Sequence, residues 1–189
     1  MGSLITPYNS PHSVYYYYNT WQTLYDEMRE EDLVTKFIKG SPTADQFKTL
    51  ANQDKKNGGS LFIIDDSINI SNPDLIEIFT TLSHHCEASI IFISQNLFIQ
   101  NAEFRTISLN CTYFIIMKSP RDKLQLAAFA QQMFGKDSSA VLAAYKEATA
   151  EPYSYILFDA HQETPDFARI RANIFPREVP MVIYVPLTT

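Results

Sequence analysis

Short apolar runs alternate along the chain with amphipathic stretches. Val14 to Tyr18 is aromatic and β-branched and predicts a strand. Trp21, Leu24, Tyr25 and Met28 recur at helical spacing, so Trp21 to Glu30 predicts a helix with Thr20 placed to cap it. Leu33 to Ile38 reads as a short strand. Ala44 to Leu50 reads as a short helix after the Ser41-Pro42 turn. The polar stretch Asn52 to Ser60, which holds Gly58-Gly59, predicts a loop.

The pattern sharpens after that loop. Leu61 to Ile64 is a continuous apolar run, as expected of a strand buried on both faces of a parallel sheet, and it ends in Asp65-Asp66. Asn72-Pro73 supplies a cap and a first-turn proline to a helix striped with Leu75, Ile78, Phe79 and Leu82. Ser89 to Ser94 predicts a second buried strand, ending in Gln95-Asn96, and Tyr113 to Met117 a third. Pro120 opens a helix, Asp137 to Thr149 forms another, and strands follow over Tyr153 to Phe158 and Ala168 to Ile174. Strands alternating with helices predict an α/β class, a mostly parallel doubly wound sheet with right-handed crossovers.

Composition narrows the function. A chain of 189 residues with 46% hydrophobic and 19% charged residues suits a globular protein. A net charge of −6 gives no overall electrostatic footprint for nucleic acid, so DNA contact requires a local basic patch. Cys86 and Cys111 are the only cysteines, which fits a reduced intracellular compartment better than a disulfide framework. The longest apolar runs, such as Ile90 to Ile93, are far too short to span a bilayer, so no membrane partner is expected. There are five glycines, and none makes a GxxxxGK[ST] or GxGxxG loop: Gly135-Lys136 is followed by Asp137, and Ala130 stands where the first glycine should be.

In a parallel sheet the C-terminal strand ends line the ligand crevice. One carboxylate there can hold Mg²⁺, directly or through water, and a second can activate water, as nucleotide hydrolysis requires. The hexamer Leu61 to Asp66 alone equally describes a strand leaving into an acidic turn. A neighbouring strand that ends in Gln95, an amide able to sense a γ-phosphate and position water, makes the pair more specific.

Ile63-Ile64-Asp65-Asp66, Ser83-His84-His85, Ile91 to Phe98, Arg105 to Asn110, Lys118 to Asp122, Glu151-Pro152-Tyr153 and Asn173 to Pro176 together resemble the second half of a viral genome-packaging ATPase. The family is the FtsK/HerA-type packaging ATPases of Maverick/Polinton and adintovirus-like elements, distantly similar to the poxvirus packaging ATPase. The resemblance covers Leu61 to Pro176 and extends more weakly to Trp21-Gln22 and Tyr25-Asp26. It implies an ASCE P-loop NTPase fold over 14–176, with 1–13 an extension or expression remnant and 177–189 a tail. It further implies ATP and Mg²⁺ as cofactors, with Asp65 as the Walker B Mg²⁺ residue, Asp66 as the catalytic carboxylate and Gln95 as sensor. Arg105 would be an arginine finger acting in trans; a solvated loop residue, or an ion pair with Glu103, is its equal alternative. The implied partners are double-stranded DNA, a homo-oligomeric ring expected to be a hexamer, and a capsid or portal vertex. The implied location is the host nucleus, a cytoplasmic virus factory or the virion.

The family's Walker A unit has no counterpart in the sequence. The chain is therefore expected to be the C-terminal part of a DNA-translocating ATPase and to hydrolyse no ATP alone. Two rival readings are a non-catalytic ring or interaction subunit and a Mg²⁺-dependent hydrolase or nuclease using Asp65 and Asp66. His84-His85-Cys86 reads better as a helix end than as a metal site. The Tyr15 to Tyr18 run could stack on bases but reads better as a buried or edge strand. Arg169, Arg171 and Arg177 give the C-terminal region a positive bias, and Arg169 and Arg171 are candidate DNA contacts.

Overall fold

The computed structural model describes residues 11–65, 72–95, 102–121, 123–178 and 180–186. Asp66, the residues 96–98 of the family resemblance, and the stretch 1–10 lie outside them. The chain divides into two compact units, one holding the described residues up to 95 together with 102–110, the other those from 111 onward.

The first unit is a four-stranded parallel sheet. Its strands are β1 (Ser13–Tyr18), β2 (Lys36–Lys39), β3 (Ser60–Asp65) and β4 (Ser89–Ile93), in the order β2-β1-β3-β4. Parallel neighbours need crossovers, and helices supply them. Helix α1 (Thr23–Glu30) links β1 to β2, and α2 (Ala44–Asp54) links β2 to β3. A continuous helical segment, α3 (Pro73–Glu77), a π-helical stretch (Ile78–Leu82) and α4 (Ser83–His85), leads to β4, and α5 (Ala102–Leu109) packs on α3.

Local chemistry sets these boundaries. Thr43 caps α2 by accepting from the Gln46 amide, and Asn72 caps α3 by accepting from the Asp74 amide. Thr20 does not cap α1: the helix starts two residues later than expected, after Gln22, without a side-chain cap. Helix α2 runs past Leu50 to Asp54, a turn of 3₁₀ helix (Lys55–Asn57) follows, and Gly58 ends it at φ 116.

The two sheet faces bury different material. Tyr15, Tyr17, Phe62 and Ile64 face α2 and the π-helical stretch, with the Phe47 and Phe62 ring centroids 4.3 Å apart. Tyr16 and Ile63 face α1 in a cluster with Tyr25, Trp21, Met28, Val34 and Phe37. Leu75, Ile78, Phe79 and Leu82 are all buried, as their stripe predicts. Strand β4 differs from its expected burial on both faces. It stands last in the sheet order, beyond the α1 cluster, so Ile91 and Ile93 are exposed.

The second unit is an antiparallel sheet. Its strands β5 (Tyr113–Met117), β6 (Tyr155–Asp159), β7 (Ile170–Ala172) and β8 (Val182–Ile183) lie in sequence order. Here the expected parallel arrangement is corrected. One helix between strands returns the chain to the end where it started, which makes the next strand parallel. Two helices in succession, α6 (Lys123–Phe134) and α7 (Ser138–Ala148), return it reversed. Both helices supply the core of Phe129, Ala130, Val141 and Ala144 against Ile156, Phe158 and Ile170. On β5, Phe114 and Ile116 meet that core, while Tyr113, Ile115 and Met117 are about half exposed. No helix among the described residues is long and apolar enough to cross a membrane.

Candidate functional site

Asp65 is the last residue of β3, an interior strand, at the C-terminal end of the parallel sheet. Two hydroxyls converge on one of its oxygens. Tyr16 Oη donates to Asp65 Oδ2 at 2.8 Å, and Tyr25 Oη donates to the same oxygen at 2.7 Å. Tyr16 lies on β1 opposite Ile63, two residues short of Asp65 on the same face, and its long ring spans that offset. Tyr25 comes from α1 and is fully buried, with its ring 5.0 Å from that of Tyr16. Burial, followed by the bond to Asp65, pushes the Tyr16 hydroxyl far above its ordinary value, so it remains a donor at every working pH. Among the described residues no hydrogen bond reaches Asp65 Oδ1.

Gln95 sits on the adjacent strand's exit. In the β3–β4 register Asp65 pairs with Ile93, and Gln95 follows two residues later, solvent-exposed. The fold thus brings Asp65 and Gln95 to the same end of neighbouring parallel strands. Arg105 is exposed on α5 of this unit.

Arg169 and Arg171 belong to the second unit, and both guanidiniums are engaged within the chain. Arg169 Nε donates to Asp166 Oδ1 at 2.8 Å, and its Nη1 donates to the carbonyls of Asp159 and His161 at 3.1 and 3.0 Å. Arg171 Nη2 donates to Asp159 Oδ2. Asp159, at the end of β6, also accepts from the His161 amide at 2.9 Å and from Thr164 Oγ1 at 3.0 Å. A DNA phosphate would have to compete with these carboxylates and carbonyls.

The tyrosine run is resolved by its side chains. Tyr15 donates to Asp54 at 2.8 Å, Tyr17 to Gln46 at 3.0 Å and Tyr16 to Asp65, with the rings of all three buried in an interior strand. These three rings leave no face for a base to stack on, and the half-buried Tyr18 ring packs against Trp21, Tyr25 and Phe37. His84 and His85 end the helical segment before β4, and among the described residues no three His, Cys, Asp or Glu side chains converge as a metal cage. Burial pushes the Cys111 thiol up to about 11, which keeps it protonated and unreactive.

Asp65 could contribute one carboxylate to a divalent cation. Mg²⁺ is held through one or two carboxylates, retained waters and substrate phosphates instead of an all-protein cage. A carboxylate with one oxygen anchored by neutral donors, and the other without a partner among the described residues, is compatible with that demand. Sequence reasoning found the carboxylate and missed Tyr16 and Tyr25. The available signal was the alternation of β1, which places Tyr16 and Tyr18 on the face that carries Asp65. No family model, curated protein or solved structure matches the chain.

Proposed function

We propose that the first unit is the Mg²⁺-carboxylate and sensor part of a P-loop-type nucleotide hydrolase, and that the chain belongs to a DNA-packaging ATPase whose hydrolysis moves double-stranded DNA into a capsid. The observation that carries this reading is the placement of Asp65 and Gln95 at the C-terminal ends of adjacent parallel strands, where α/β sheets bind ligands. The motif resemblance supplies the reaction and the partners.

In this reading Asp65 would hold Mg²⁺, directly or through water. Asp66 takes a proton from the attacking water, and the Gln95 amide orients that water against the γ-phosphate. A bound Mg²⁺ would supply neutralisation of phosphate charge. Arg105 acts on a neighbouring subunit's nucleotide, where a guanidinium offsets charge on the transferred group. The phosphate-gripping loop is not among the motifs of these 189 residues, so the reading assigns it to a βα unit outside them.

Equilibrium dialysis with Mn²⁺ in place of Mg²⁺ tests the carboxylate half of the proposal, the half these residues carry. Wild type should retain the ion, and retention should fall about tenfold or more in Asp65→Asn. No retention by wild type, or retention indifferent to Asp65→Asn, contradicts it. DNA cleavage with Mg²⁺ and no nucleotide would instead establish the hydrolase reading.

A further inference from the structure

The two tyrosine hydroxyls at Asp65 have no place in the reaction as described, yet both donate to the same carboxylate oxygen. We propose that Tyr16 and Tyr25 are positioning residues that clamp Asp65 so that Oδ2 is consumed within the fold and Oδ1 is the oxygen offered to a divalent cation. The proposal rests on the reading of Asp65 as a Mg²⁺ carboxylate.

Three observations carry it. The donors come from two different elements, β1 and α1, so the carboxylate is fixed against rotation from two directions. Both are neutral and buried, so they hold the carboxylate without cancelling its charge, as an arginine or lysine would. The two rings pack on each other and on Tyr18 and Phe37, so the hydroxyls cannot swing away without disturbing the whole cluster. Partners that orient a metal ligand commonly contribute about 10–100-fold in metal affinity. Tyr25 also connects the site to Trp21, whose ring centroid lies 5.4 Å away, so the only tryptophan reports on the clamp.

The test is a Mn²⁺ titration of the purified 189-residue chain, followed by electron paramagnetic resonance of the free ion. Wild type, Asp65→Asn, Tyr16→Phe, Tyr25→Phe and the double Tyr→Phe variant are compared, with Trp21 emission recorded on each. Asp65→Asn should abolish binding. Each Tyr→Phe change should weaken it by about tenfold, with the thermal unfolding transition retained. Binding lost in Asp65→Asn but unchanged in both folded single variants overturns the clamp and leaves the Asp65 reading intact. Binding absent in wild type, or unaffected by Asp65→Asn, overturns the Asp65 reading and the clamp with it. The single variants keep both rings, so they remain decisive if the double variant does not fold.

Discussion

Asp65 and Asp159 each end a strand at the heart of a four-stranded sheet, and each has its Oδ2 filled by partners from elsewhere in the chain. Their surroundings differ in charge and completeness. Asp159 is fully buried, meets the Arg171 guanidinium, and also accepts from the His161 amide and Thr164. Both its oxygens and its charge are spent on holding the 160–169 loop to β6 and β7. Asp65 is half-buried and, among the described residues, meets two neutral hydroxyls on one oxygen. A carboxylate whose charge is cancelled inside the fold stabilises structure, whereas one anchored by neutral donors keeps its charge.

Asp54 shows that neutral donors alone do not make a site. It accepts from Tyr15 and from Ser60 at 3.0 Å. Ser60 is the first residue of β3, so Asp54 lies at the opposite end of the sheet from Asp65 and is buried besides. Position at the C-terminal strand ends distinguishes Asp65.

The comparison can be broken at its structural half first. Asp159→Ala strands the Arg171 guanidinium, whose Nε has no partner among the described residues, beside the buried sheet. It should cost about 3–5 kcal/mol in urea unfolding, while Asp159→Leu with Arg171→Met should recover most of that loss. Equal losses in the single and double variants would show that the ion pair is not what holds the loop.

The tyrosine anchors give a smaller, pH-dependent effect. Burial raises Tyr15, Tyr16 and Tyr17 above the ordinary value of 10.0. Below pH 10 folded and unfolded chains both keep these protons and stability is at its full value. Above pH 10 the unfolded chain ionises first, so stability falls by up to about 1.4 kcal/mol per tyrosine for each pH unit. Urea unfolding between pH 9 and 11 checks this, and Tyr16→Phe should make the slope shallower. A slope unchanged by that substitution contradicts the buried, protonated hydroxyl.

Arg105→Ala is the smallest effect. The side chain is exposed on α5, so stability should change by less than about 0.5 kcal/mol. A larger loss would give Arg105 a structural role in place of one in trans.

Much of the first unit was legible in the sequence because its signals are local. The apolar run Leu61 to Ile64, the Asn72-Pro73 cap and the Leu75 to Leu82 stripe each state their structure within a dozen residues. The two-helix connection between Tyr113 to Met117 and Tyr153 to Phe158 was also visible. Its consequence, an antiparallel return, depends on counting helices between strands and not on any residue. Pairings across the fold were illegible. Tyr16 and Tyr25 reach Asp65 over 49 and 40 positions, and nothing in the residues between them encodes that meeting. The Asp159–Arg171 bond hides for a related reason, since a basic bias near the chain end reads equally as a phosphate contact and as a buried partner.

The most direct measurement is Mn²⁺ binding by Asp65→Asn and Asp159→Asn chains side by side, at a temperature where circular dichroism shows both folded. Binding lost in Asp65→Asn and kept in Asp159→Asn is the predicted result. Binding kept in Asp65→Asn, whatever Asp159→Asn does, would contradict the assignment of Asp65 as the carboxylate that holds the cation.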